Sequence, residues 1–511
     1  MNKPQALHSS TFLEQMNPVA DKFAATWSNL RYLLIGLAFL GAGLAIYGLW
    51  QGHYTAKMIG FGLMGIAVTI WWPEFTLLAL LGGTNEHSSF LLSTAQLASS
   101  GPILVVFAGL LAAGATPLLI RRGVLRLRRP GLTWPLLLVS VMSLWIFLYL
   151  GFGRTWASDG IILNNYVFQG VFVMLVLWYL AFSQSANIVA TAKRLLWATV
   201  FVNAGGFLVN MLVTAGSFAP LFDPSSHYWS LDTAGLFVIA GQNHISLAVD
   251  IFAPPLLAAL ALILSSSVGR AVKISLAGLI LIFGTLILAS GTRQAVVAGV
   301  LALIVMLLLT NFGWKGRFQV VGIVVFIILV SRPAYDVFVS TFGSNGIEHI
   351  ATLAAPGVLA SGNYRLSAAQ QDIQLFLQNP FFGQGLGIGS VANGASELIS
   401  HNILTSIGAE VGIIPLLATL GFLAAIFHSI WNLARFSDLS PAERVGFQGL
   451  AGLFVFNLAA SMISGRMEGG FAFFGYGAGL YFLYRFARDQ RMKTSNDGQT
   501  ALAPSINPMS R

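Results

Sequence analysis

Apolar residues in this chain come in long runs, separated by short stretches where charge, glycine and proline collect. Runs such as "LLIGLAFLGAGLAIYGL" and "LAGLILIFGTLILAS" lack two-residue alternation, so they read as helices and not as barrel strands. About 20 apolar residues carry a helix across a bilayer core. On that measure fourteen segments are predicted to span: 32–50, 57–72, 73–83, 102–120, 134–152, 165–184, 195–216, 244–265, 273–291, 295–312, 318–335, 402–428, 445–464 and 469–487. The second and third are either two spans with a tight turn at Pro73 or one kinked helix.

Two longer polar stretches lie on the outer side of this arrangement, 217–243 and 336–401. Within the second, "NYRLSAAQQDIQLFLQ" has apolar positions at Leu366, Ala369, Ile373, Phe376 and Leu377, the spacing of an amphipathic helix. "NPFFGQGLGIGS" follows as a turn that stops it. The helix is expected to lie along the membrane surface and close over a cavity. The organisation is then a cytoplasmic tail (1–31), helices 1 to 11 (32–335), a large periplasmic loop (336–401), helices 12 to 14 (402–487) and a cytoplasmic tail (488–511) expected to be disordered.

Composition agrees with that pattern. With 56% apolar and 9% charged residues, most of the surface must face lipid, and the fold class is an all-α polytopic membrane protein of about 12–14 transmembrane helices. The first 30 residues are polar and mixed, so the first span is expected to act as its own insertion signal. "RRGVLRLRRP" is the densest basic loop and belongs in the cytoplasm. Alternating outward from it puts both termini inside with "AKR", "GWKGR" and "RFARDQRMK". Of the 27 basic residues, only Lys57, Arg154, Arg293, Arg332, Arg365 and Arg466 fall outside. The net charge of +9 is then a cytoplasmic rim meeting anionic lipid, with no nucleic acid partner implied. The absence of cysteine excludes disulfides and thiolate chemistry.

Residues that insertion bias disfavours are the first candidates for chemistry. Arg293 sits in the short turn of "LASGTRQAVV", Arg365 leads the amphipathic helix, and Arg466 lies in "ISGRMEGG". Guanidinium groups at this boundary suit a diphosphate, though each could equally anchor to headgroups, or pair with Glu468 in the case of Arg466. His401 stands where the outer loop meets a span, and its imidazole can take a proton near neutral pH. Asn402 is placed to cap that helix. Glu410 is an ionisable group inside the predicted span, near the opposite face from His401, and suits a supporting carboxylate. "GQNHISLAVDIFAPP" repeats the theme with His244 and Asp250 ahead of Pro254 and Pro255, and spacing does not separate the two histidines. No phosphate loop, HExxH or acidic metal–diphosphate pair is present, so neither metal nor cofactor is called for.

The combination of these motifs, over about 240–430, resembles the O-antigen ligase and O-antigen polymerase superfamily. The resemblance rests on His401-Asn402 with Gly412 after nine residues, on "SGTRQAVVAGVLAL", on "YRLSAAQQDIQLFLQNPFFGQGLG" and more loosely on "GQNHISLAV". Three residues beyond Gly412 the chain carries Pro415, where ligases usually carry glycine or a small or polar residue. The resemblance implies a GT-C-like glycosyltransferase of the bacterial inner membrane, working on its periplasmic side. It implies an undecaprenyl-diphosphate-linked glycan as donor, and lipid A core (a ligase) or a growing glycan (a polymerase) as acceptor. By the same carry-over His401 would be the general base, and Arg293 and Arg365 would bind the diphosphate; Arg466 joins them as a third candidate. From another class, a lipid-linked glycan flippase or proton-coupled transporter would use Asp250 and Glu410 as relay groups.

Overall fold

The computed structural model describes residues 32–48, 134–152, 188–215, 229–231, 237–239, 247–265, 268–309, 357–388, 402–436, 439–464 and 472–501, with scattered positions at 50–72 and 318–336. The predicted spans 73–83, 102–120 and 165–184 lie outside these residues, as do most of 57–72 and 318–335. The chain divides into two compact units, residues 1–76 with 102–128, and 77–101 with 129–511. In the first, helix α1 (Tyr32–Gly48) is crossed at close range, because Gly60 has no side chain to hold off the backbone of Ala45.

Among the described residues the second unit is helical apart from one hairpin. Its elements are α2 (Trp134–Phe152), α3 (Ile188–Ala215), strands β1 (Trp229–Leu231) and β2 (Phe237–Ile239), a π-helical segment (Leu247–Phe252) and α4 (Ala253–Ile263). They continue with α5 (Arg270–Ser290), α6 (Arg293–Leu308), α7 (Gly357–Gln378), α8 (Ile403–Val411), α9 (Ile413–Arg435), α10 (Pro441–Ser464) and α11 (Ala472–Ala501). Among the described residues three helices have the length and composition to cross a membrane: Arg270–Ser290, Ile413–Arg435 and Pro441–Ile463. The antiparallel hairpin, with Ser230 opposite Val238, falls in the outer stretch predicted as a loop.

Proline and glycine set several of these boundaries. Pro254 and Pro255 cannot donate to the carbonyls one turn back; they sit in the first turn of α4, and the helix before them widens into π geometry. The predicted turn between two spans is the two-residue link Gly291-Thr292. Three expectations need correction. Lys193 and Arg194 are not in a loop but near the start of α3, where long basic side chains can reach out from a helix end. The tail expected to be disordered from 488 is helical to Ala501, since extending an existing helix costs far less than nucleating one. The predicted span 402–428 is two helices, α8 and α9, separated at Gly412.

Helix α10 organises the unit. Gln294 of α6 donates to the Ala460 carbonyl (2.9 Å), Met306 fills the space over Gly452, and Gln448 donates to the Leu309 carbonyl (3.5 Å), so α6 runs antiparallel to α10. Ala192 and Leu196 of α3 meet Gly446 and Gly449, giving a parallel pair, while Leu483 and Leu450 fix α11 antiparallel. Phe422 packs on Phe474 (5.0 Å) and His428 lies edge-on to Tyr484 (6.2 Å), which sets α9 parallel to α11 and so opposite in direction to α10. These pairings collect Lys193, Arg270, Arg435, Arg444 and Arg485 at one end of the bundle. Arg293, the start of α9 and the end of α10 lie at the other.

Gly449 meets two helices at once, since a Cβ there would stand 2.6 Å from Leu196 and 3.0 Å from Ala261. Overpacking of this kind costs about 1–3 kcal/mol. Gly449→Leu is therefore expected to lower the melting temperature of the detergent-purified protein. Gly278→Leu, on a helix face with no atom within 4 Å, is expected to leave it unchanged.

Candidate functional site

At the less basic end of the bundle, α8 is a nine-residue helix buried on nearly every side. Asn402 starts it: the side-chain carbonyl accepts from the backbone N–H of Leu404 (3.0 Å) and Thr405 (3.4 Å). That satisfies donors a helix start otherwise leaves open. Thr405 in turn donates from its hydroxyl to the Asp372 carboxylate of α7 (2.8 Å). Asp372 is buried (3% exposed), so this bond ties α7 to the first turn of α8.

The other end of α8 carries the break. Gly412 has φ 84° and ψ −167°, a region in which a Cβ is not tolerated, and one there would collide with the Phe381 carbonyl. Each of the last four carbonyls of α8 finds a donor. Gly408 accepts from Gly412 N–H (3.1 Å), Ala409 from Gln384 N–H (2.7 Å), Glu410 from Gly385 N–H (3.0 Å) and Val411 from the Trp145 indole (3.0 Å). On the far side of the break, Ile413 N–H donates to the Pro380 carbonyl (2.8 Å), and the first bond within α9 runs from Leu416 to Gly412 (3.4 Å). Pro415 thus occupies a first-turn position of α9 where no intrahelical donor is needed. It begins a helix and does not interrupt one.

Glu410 is at the C-terminal end of α8, ahead of the spanning helix and not inside it. Its carboxylate is buried (3% exposed) and accepts from the Ser406 hydroxyl (2.9 Å) and from the Gly387 backbone N–H (3.0 Å). The turn 379–388 is thereby held on α8 by one side-chain and two backbone bonds. Asn379 closes it from within, donating to the Gly383 carbonyl (2.6 Å). Gly383 (φ 69°) lies so close to the backbone of Glu410 that no side chain fits between them. Trp145 completes the enclosure by stacking on Phe382 (5.9 Å between centroids).

Of the candidate residues, Asn402 and Glu410 are thus on one short helix, and Arg365 is on α7, which packs against it. Arg293 is the first residue of α6 and half-buried, at the same end of the bundle. Asp250 falls in the π-helical segment. His401, His244 and Arg466 lie outside the described residues. Sequence reasoning did not single out Asp372, Thr405, Ser406, Gln384 or Trp145. Asp372 alone had a local signal, as a carboxylate within the predicted amphipathic helix. Among the described residues no group of three His, Cys, Asp or Glu side chains could hold a metal ion.

No protein-family model matches this sequence, and a search of curated proteins finds no relative.

Removing the Glu410 carboxylate leaves the Gly387 N–H buried without that acceptor, at a cost of about 1–3 kcal/mol. Glu410→Ala is expected to raise amide hydrogen exchange in 379–388 while leaving α9 protected. Trp145→Phe retains a ring over Phe382 but strips the Val411 carbonyl of its donor. It is expected to lower the melting temperature by a similar free energy, about 1–3 kcal/mol, in a thermal scan.

Proposed function

We propose that this chain is a GT-C-like membrane glycosyltransferase of the bacterial inner membrane, with about 12–14 spans. It would transfer a glycan from an undecaprenyl-diphosphate carrier to an acceptor hydroxyl on the periplasmic face, most closely as an O-antigen ligase with lipid A core as acceptor. The observation that carries this reading is the division of charge between the bundle's two ends. In this reading the clustered Lys and Arg face the cytoplasm, and Arg293 and the α8 start face the periplasm, with His401 next in sequence to the Asn402 cap. Both chain termini would be cytoplasmic.

In this mechanism His401 takes the proton from the acceptor hydroxyl as its oxygen attacks the anomeric carbon. The bond from that carbon to the diphosphate oxygen breaks on the opposite side, so configuration inverts and the carrier leaves as its diphosphate. Arg293 and Arg365, with Arg466, meet the charge that develops on the leaving group. Asn402 and Glu410 support from behind, the first by starting α8 and the second by holding the turn against it. Neither metal nor nucleotide sugar takes part. Extension of a lipid-linked glycan, as by a polymerase, is the same chemistry with another acceptor.

One feature favours the flippase or transporter alternative. The apolar run 402–428 is interrupted at Gly412, and a helix widens into π geometry where it holds Asp250; broken helices are common in transporters. In such sites, however, unwound carbonyls coordinate the coupling ion, whereas all four at the end of α8 already accept bonds from the protein.

Purified protein given carrier-linked glycan and candidate acceptors is expected to transfer the glycan. His401→Ala should slow turnover by about 10²–10⁴-fold, the usual range for loss of an acid–base group. Arg293→Ala should also reduce transfer. Full transfer by both variants would remove the site assignment, and carrier translocation without transfer would favour the transporter.

A further inference from the structure

The apolar stripe of α7 points away from the protein. Leu366, Ile373 and Leu377 recur at helical spacing and are 58%, 47% and 66% exposed, whereas Ala368 (2%) and Asp372 (3%) face α8. Gln370, Gln374 and Gln378 form an exposed polar flank beside it. The stripe continues into the following turn, where Phe381 and Phe382 are 66% and 57% exposed although the rest of that turn is largely buried.

We propose that α7 and the Phe381-Phe382 turn are docked in the bilayer, with the stripe seated in the boundary between headgroups and acyl chains. The reason for choosing lipid over another occupant is continuity. Ile413 N–H is bonded to the Pro380 carbonyl (2.8 Å), so the two phenylalanines adjoin the start of α9. From that point α9 exposes Ile414, Leu417, Leu420, Phe427 and Trp431 along a helix long and apolar enough to cross a membrane. Lipid covering the start of α9 therefore reaches Phe381, and the exposed stripe ends four residues before it at Leu377. A helix lying in this boundary buries its apolar face by about 5–10 Å, with its polar flank toward water. The Asp372–Thr405 and Glu410–Gly387 bonds then transmit the height of α7 in the bilayer to α8. Docking would fix the level at which the α8 start meets a lipid-borne substrate. This holds whichever reaction the bundle performs.

The chain contains no cysteine, so single-cysteine variants take a nitroxide at one place. Leu377→Cys, Ile373→Cys, Gln374→Cys and Leu417→Cys would be labelled, reconstituted in phospholipid nanodiscs, and probed with oxygen and a water-soluble nickel chelate. Labels at 377 and 373 are expected to collide preferentially with oxygen, as at 417, and the label at 374 preferentially with nickel. Nickel contact at 377 and 373 equal to that at 374 would overturn docking. So would exclusion of both reagents there, which would indicate cover by protein; dipolar broadening would identify the cover as a second copy.

Discussion

A backbone amide or carbonyl left unpaired in an apolar surrounding costs several kcal/mol, and the interruption at Gly412 exposes such groups on both sides. Much of the local architecture follows from satisfying them. The turn after α7 supplies two N–H donors and one carbonyl, and Trp145 of α2 supplies an indole N–H. Pro415 removes one donor outright. Phe381 and Glu410 approach so closely that glycine is required at 412 and 383. The break is therefore a junction at which α2, α7, α8 and α9 are held together, and not a flaw in one long helix.

Away from that junction, packing relies on shape more than on polar bonds. Glycines on α10 let α3, α4 and α6 come close, and phenylalanines fill the spaces toward α9 and α11. Close approach of this kind is how helices gain van der Waals contact where lipid offers no hydrophobic drive. The same pairings orient each helix, and so collect the basic residues at one end.

Local pattern was sufficient for much of the fold. The helix Trp134–Phe152 coincides with its apolar run, and the Gly291-Thr292 turn and the stop after Gln378 come from residues adjacent in the chain. The run 402–428 reads as one span because a lone glycine inside an apolar stretch does not announce a break. The groups that stabilise this one are distant, Trp145 being 266 residues from Val411. On that pattern Glu410 falls within a span, whereas it stands at the end of a separate helix. The stripe on α7 was legible as a stripe, but the rule that apolar faces turn inward presumes water outside.

By itself, then, the sequence determined that this chain is helical and suited to lipid, where most of its apolar segments lie and which loops are basic. Hydropathy and charge are sums over neighbouring residues, so they can be read without the fold. Tertiary structure decided that Asn402 and Glu410 belong to a short capped helix, that Asp372 meets Thr405 and Gly387 meets Glu410, and that α7 shows its apolar side outward. Each depends on a donor meeting an acceptor, or a side chain meeting a surface, across segments far apart in the chain.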